Sequence, residues 1–269
     1  MIYNINMITP LAIIFFILGT IIGSFLNVVI FRFNTHRTFG GRSGCMTCGK
    51  QLSWYELFPV FSFLFLKGRC KGCKTHISIQ YPMVELITGL IFVGLFLKFQ
   101  DVFFFDTVGF TISYAYYATI FSLLMVIAVY DLKHKIIPDA LALVLGILSF
   151  IGLFFFVNYN FSLHFPTILE LLSGVLIALP FALMWLLSKG KWMGLGDAKL
   201  AISFGWLLGI SAALSGLVLA FWTGALFGIM LIVFSKHYGM KSEVPFAPFL
   251  VFGVIVTFIF SLQLFPIFF

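Results

Sequence analysis

Residues 201–235 read AISFGWLLGISAALSGLVLAFWTGALFGIMLIVFS, with no charged side chain anywhere in the run. A helix crossing a hydrocarbon core of about 30 Å needs roughly 20 mostly apolar residues, so the stretch is too long for one crossing and is predicted as two closely spaced helices, near 201–213 and 215–235. Working outward, similar runs recur near 10–31, 82–99, 109–130, 140–157, 167–188 and 247–268. The fold class that follows is all-α: a polytopic membrane bundle of about eight transmembrane helices, or seven if 201–235 crosses once. Composition agrees, since 62% of residues are hydrophobic, 9% are charged and 37 of 269 are Phe, far from the balance of soluble domains. The run from Pro10 to Phe31 has no basic residue before it and no A-x-A-like site after it, so it reads as a first transmembrane helix rather than a cleaved signal.

Basic residues are distributed unevenly. Arg32, Arg37, Arg42, Lys50, Lys67, Arg69, Lys71 and Lys74 fall in segment 32–81, and Lys133, Lys135, Lys189, Lys191, Lys199, Lys236 and Lys241 fall in short connections. With eight helices all of these lie on one face, which the positive-inside rule makes cytoplasmic, and both chain ends are then outside. Only Lys98 lies toward the other face, beside Asp101 and Asp106 in an expected outward loop. The net charge of +7 is thereby explained through topology and attraction to anionic membrane lipid, and gives no reason to expect a nucleic acid partner. The chain divides into a first helix (1–31), a cytoplasmic cysteine loop (32–81) and a helical remainder (82–269).

All four cysteines lie in that loop, as Cys45-Met-Thr-Cys48 and Cys70-Lys-Gly-Cys73. Two C-x-x-C turns, helped by Gly49, Gly68 and Gly72, can present four thiolates tetrahedrally to one structural Zn2+. Two disulfides are the competing reading, disfavoured by a reducing cytosol.

Charged residues at membrane depth are costly unless they face water or a partner. Asp131 ends the third helix in VYDLKHKIIPD (129–139), and Asp197 sits in MGLGDAKL (193–200), just before the sixth. Both belong to the cytoplasmic boundary, and Gly194 and Gly196 clear space around Asp197 for a close approach. Two aspartates on different helices can hydrolyse a peptide without a metal: the ionised one activates water while its protonated neighbour donates to the carbonyl oxygen. Each aspartate taken singly reads as a helix cap or as a partner of Lys133, Lys135 or Lys199. Together on one face they read as a catalytic pair.

The ordered set of motifs resembles the type IV prepilin peptidases, bifunctional leader peptidase and N-methyltransferase enzymes of bacterial membranes and aspartic peptidases of the GxGD type. The fragments are GSFLNVVI (23–30) with Arg32, the two cysteine pairs with LSWYE (52–56) between them, and YPMVE (81–85). Asp131 with Ile137-Pro138-Asp139, then GLGDAK (194–199) and PFAPFL (245–250), complete the set. Departures are Met46, where many members have proline, and Ala247, where glycine is frequent. The resemblance implies cleavage of type IV prepilin or pseudopilin substrates after a Gly, with Asp131 and Asp197 catalytic and Gly194, Gly196, Lys199 and Asp139 supporting. It also implies methyl transfer from S-adenosylmethionine to the new N-terminus in association with the loop, where Glu56 and Glu85 are candidates to contact the donor or the amine. The alternative for both glutamates is a salt bridge with the basic loop.

His134, between Lys133 and Lys135, reads as a solvated residue, Glu170 as interfacial, and the Phe-rich stripes as packing or lipid-facing surface. Two rival classes are a membrane thiol oxidoreductase using its C-x-x-C pairs and an ion-coupled transporter using its aspartates. The first would need its cysteines outside, and the second its carboxylates at the midplane. Nothing in the sequence specifies an oligomeric state.

Overall fold

The computed structural model describes residues 5–35, 38, 40–191, 193–234, 239 and 243–265. Arg37, Lys236 and Lys241, counted above, lie outside the described residues, as do position 235 and positions 266–268 of the expected last two helices. The chain gathers into two compact units, Met1–Gln100 and Asp101–Phe269.

The first unit pairs α1 (Ile5–Arg32) with α3 (Gln80–Phe105) and carries the cysteine loop between them. Glycine makes the pairing close. A Cβ on Gly19 would come within 2.7 Å of Phe92 Cβ, and one on Gly23 within 2.8 Å of Glu85 Cα. Where water-driven burial is absent, such small-residue contacts are the main means of helix association in lipid. Phe15 stacks on Phe96 at 4.6 Å, Phe31 stacks on Tyr81 at 4.8 Å, and the buried amide of Asn27 donates to the Tyr81 carbonyl at 3.1 Å. Within the loop lie a 3-10 turn (Trp54–Leu57) and the five-residue helix α2 (Phe61–Phe65).

The second unit is α4 (Thr107–His134), α5 (Asp139–Phe155), a two-residue antiparallel hairpin (Phe156–Val157 with Asn160–Phe161), α6 (Ile168–Ser188), α7 (Leu195–Phe234) and α8 (Ala247–Phe260). Helix α7 is its axis and packs against α5, α6 and α8. It is 40 residues long and interrupted at Gly209, whose φ of 75° and ψ of 170° only glycine adopts readily. The expected break in the long apolar run therefore exists, but at 209 instead of near 214. The expected outward loop around Lys98, Asp101 and Asp106 is a single residue: α3 ends at Phe105, and Asp106 caps α4 by accepting from Val108 and Gly109 N–H at 3.1 and 3.0 Å. Glu170 is part of a capping box with Thr167 at the start of α6.

Helices α1, α3, α4, α6 and α7 are long and apolar enough to cross a membrane, and α5 and α8, with 17 and 14 residues, are shorter apolar helices. Counting the two parts of α7 separately, the described residues hold the expected eight apolar helical segments.

Candidate functional site

In the second unit the C-terminus of α4 and the N-termini of α5, α7 and α8 meet at one end. Helix α4 finishes with Lys135 in the left-handed conformation, its N–H bonded to the Asp131 carbonyl at 2.8 Å, and Pro138 then starts α5. This turn folds the segment Ile136–Asp139 against the start of α7, where a Cβ on Gly196 would come within 2.9 Å of Ile137 Cβ. Gly196 is thus needed to let the segment that follows Asp131 reach the segment that carries Asp197. A Cβ on Gly194 would meet no described atom closer than 3.9 Å, so the space beside it is open.

Both aspartates are buried, Asp131 at 5% and Asp197 at 8% exposure, and each lies within electrostatic reach of the other. Asp131 Oδ2 accepts a hydrogen bond from the buried backbone N–H of Ala247, at 3.2 Å. The motif around Ala247 accounts for this donor. Helix α8 has Ala247 and Pro248 in its first turn, where N–H groups lack an intrahelical acceptor, and the one from Ala247 finds a carboxylate on α4. Asp197 occupies the first turn of α7, where a carboxylate is favoured by the helix dipole.

Of the basic residues offered by the sequence as plain partners, Lys199 is placed differently. Lys199 Nζ binds Asp139 Oδ1 at 2.6 Å, with both side chains substantially exposed, and so ties α7 to α5 instead of neutralising Asp197. Asp139 is at the surface and apart in character from the buried pair. His134 lies with its ring 4.4 Å from that of Tyr130.

In the first unit the four Sγ atoms of Cys45, Cys48, Cys70 and Cys73 lie within 4.8 Å of one another, and Cys45 and Cys73 are 3.7 Å apart. Zinc–thiolate bonds of about 2.3 Å in a tetrahedron put sulfurs about 3.8 Å apart, so the donor set fits a tetrahedral Zn2+. None of the four is in a disulfide. The two turns are built alike: Cys45 N–H donates to Lys50 O and Cys70 N–H to Thr75 O, both at 2.9 Å, while Gly49 N–H donates to Cys45 O and Lys74 N–H to Cys70 O, both at 3.0 Å. Short antiparallel bridges, Gly44 with Gln51 and Arg69 with His76, close each turn. The Cys73 thiol is pushed down to about 6 by the Thr75 hydroxyl and then the Thr75 backbone. Backbone N–H groups of Cys48 and Thr47 lower Cys45 in the same way.

The two glutamates differ. Glu56 is fully engaged: Oε1 accepts from Lys50 Nζ at 3.1 Å and Oε2 from Ser53 N–H at 2.8 Å, closing a capping box on the 3-10 turn. The Ser53 N–H and then the Lys50 ammonium hold its carboxyl below the usual range. Glu85, buried on α3, accepts the Val60 N–H at 2.7 Å. Val60 itself has φ 61° and ψ −51°, and the N–H of Phe61 reaches back to Pro59 O at 2.6 Å: a positive-φ γ-turn, rare for any residue and rarer for a β-branched one.

The Ala247 donor and the Val60 turn were not foreseen. A helix start at PFAP followed by unpaired N–H groups was a usable signal for the first, whereas nothing in the letters around Val60 marks the second.

Residues 17–99 match the bacterial peptidase A24 N-terminal domain, and residues 118–229 match the type IV leader peptidase family. The chain is 34% identical to a prepilin leader peptidase/N-methyltransferase of Myxococcus xanthus, over 86% of this chain and 66% of that protein. It is 28% identical to one of Bacillus subtilis, over 92% and 94%, and 31% identical to one of Aeromonas salmonicida, over 87% and 86%. No solved structure matches.

Proposed function

This chain belongs to the type IV leader peptidase family, and we propose that it removes the short basic leader from type IV prepilins or pseudopilins at the cytoplasmic face of the inner membrane and N-methylates the residue so exposed. The observation that carries the first activity is a pair of buried carboxylates, Asp131 and Asp197, from two helices at one end of the second unit and within reach of each other's charge. The ionised member of the pair takes a proton from water as the oxygen attacks the scissile carbonyl carbon, and the protonated member gives its proton to the carbonyl oxygen. When the tetrahedral centre collapses, the C–N bond breaks, the leaving nitrogen takes the proton the first carboxylate gained, and a hydroxyl of the tetrahedral centre returns a proton to the second carboxylate as the new carboxyl group forms. One proton shared by the pair is the resting requirement, which like-charge proximity in a poorly solvated place favours. Asp139 and Lys199 support the pair by joining α5 to α7, and Gly194 and Gly196 support it by allowing close approach.

For the second activity the donor would be S-adenosylmethionine, which supplies an electrophilic methyl group. Zn2+, held by Cys45, Cys48, Cys70 and Cys73, would fold the loop; four thiolates leave it no open position, so its role is structural. Glu56 is spent on Lys50 and Ser53, which leaves Glu85 as the carboxylate able to receive the new amine. Incubating the purified protein with a membrane-inserted prepilin, with and without S-adenosylmethionine, and weighing the products tests both parts. Release of a leader peptide and, with the donor, a mature chain heavier by one methylene is the expected result; an intact substrate overturns the reading.

A further inference from the structure

The segment Trp54–Leu66 carries a dense set of apolar side chains that nothing in the first unit covers. Trp54 is 77% and Phe65 83% exposed, and Tyr55, Leu57, Phe58, Phe61 and Leu64 are exposed as well. Single exposed apolar residues need no explanation, but a contiguous group of aromatic ones marks a surface that meets something other than water.

Its depth relative to the bilayer is set by a hydrogen bond. Val60, in the middle of the segment, is held through its N–H by buried Glu85 at 2.7 Å. Glu85 is five residues into α3, about 7.5 Å along the axis at 1.5 Å per residue. Helix α3, at 26 residues, is about 39 Å long against a hydrocarbon core of about 30 Å, so a centred α3 projects about 4.5 Å at each end. Glu85 then lies about 3 Å inside the hydrocarbon boundary, and the aromatic residues flanking Val60 are carried to that interfacial level with it.

Charge points the same way. Glu56 is the only acidic residue between Trp54 and Lys74, and Lys50 neutralises it, whereas Lys67, Arg69, Lys71 and Lys74 are all exposed. Lys71 lies over the Tyr55 ring at 4.9 Å and donates to its hydroxyl at 3.1 Å, which places a cation at the aromatic edge of the patch. Aromatic rings beside exposed lysine and arginine are the composition of a membrane interface that faces anionic headgroups.

We propose that Trp54–Leu66 is a wedge seated in the headgroup layer of an anionic bilayer, pinned at that depth by the bond from Val60 to Glu85, with Lys67, Arg69 and Lys71 on the lipid phosphates. The strained turn at Val60 is then what lets aromatic side chains on both sides of it turn toward lipid.

The test uses the full chain in nanodiscs, with lipids brominated either near the headgroup or deep in the acyl chain, and takes the difference in fluorescence between the wild type and Trp54→Phe as the Trp54 signal. Shallow bromines should remove most of that signal and deep bromines little of it, and aqueous iodide should quench it weakly. Replacing anionic by zwitterionic lipid, or Lys67, Arg69 and Lys71 by Gln, should raise the iodide quenching. Glu85→Ala should do so too, whereas Glu85→Gln, which keeps an acceptor for the Val60 N–H, should not. Strong iodide quenching in anionic nanodiscs would overturn the proposal. So would a Trp54 shielded from both bromine and iodide, since that is the signature of a second protein surface.

Discussion

An aspartate at 5% exposure and another at 8% are sensitive to a change that leaves shape almost intact. Asp131→Asn or Asp197→Asn removes one of the two groups proposed to transfer protons, and each should lower leader cleavage by about 10²-fold or more, with insertion and expression unchanged. Asp139→Asn weakens only an exposed ion pair with Lys199, the kind that contributes about 0–1 kcal/mol, so most activity should remain. Initial rates on one prepilin measure all three, and near-normal cleavage by either of the first two variants would remove the pair from its role. Glu56 makes a different prediction, about pH. Its carboxyl is held below the ordinary range in the folded loop, so the charge stabilises above the unfolded value of about 4.3 and ceases to do so as pH falls through the folded one. Glu56→Gln keeps the capping geometry, and its loop should therefore be less protease-resistant than the wild type at pH 7 but indistinguishable from it in strong acid. The buried aspartates were legible because a charge is conspicuous in an apolar sequence. The Ala247 donor was not, because a backbone N–H has no letter of its own and is seen only once the helix start that frees it has been placed.

Helices were readable for a similar reason: a run of some twenty apolar residues has few alternatives in lipid. Their ends were less so, and α3 extends from Gln80 to Phe105 where 82–99 was expected. Polar residues such as Gln100 and Asp101 look like loop by composition yet continue the helix, because near a helix end they reach water without leaving it. The exact break in α7 was hidden among several glycines in one apolar run, and only backbone geometry distinguishes Gly209 from Gly205. Gly205 is there for contact: a Cβ on it would press to 2.5 Å from Ser173 O and 2.6 Å from Gly174 Cα. Gly205→Leu should therefore separate α6 from α7 and cost about 3 kcal/mol, while Gly209→Ala acts through its φ instead. A thermal shift in detergent gives the comparison, and an unchanged Gly205→Leu protein would mean the helices are not so closely packed. For the cysteine loop, elemental analysis should find about one zinc per chain. Chelation, or Cys45 and Cys48 replaced by Ser, should expose segment 32–81 to protease and reduce cleavage only in part.

Across the whole molecule, the motifs proposed for methyl transfer lie in residues up to Gln100, and the aspartates proposed for cleavage lie beyond it. A change confined to the methyl-transfer residues should therefore largely spare cleavage, whereas loss of cleavage leaves no new N-terminus to methylate. Glu85→Gln retains an acceptor for Val60 but loses the negative charge, so methylation should fall more than cleavage. Mass spectra of one substrate would show mature, unmethylated chain, and equal loss of both activities would take Glu85 out of that role. That the chain was polytopic and helical followed from hydropathy alone. Its division into two compact units did not, because α3 reads like any other apolar run and only its packing partners assign its residues up to Gln100 to the unit of the cysteine loop.

The two cysteine turns are near-copies of one another. Cys45 and Cys70, Cys48 and Cys73, and Gly49 and Lys74 each correspond at one constant offset, with matching hydrogen bonds throughout. The two halves are built alike but are not equally relaxed. Gly49 keeps the residue its φ of 69° prefers, whereas Lys74 holds a φ of 59° against its own preference. Lys74→Gly would give the second turn the residue the first already has and should relieve about 1 kcal/mol of left-handed strain, a gain that limited proteolysis of segment 32–81 would register.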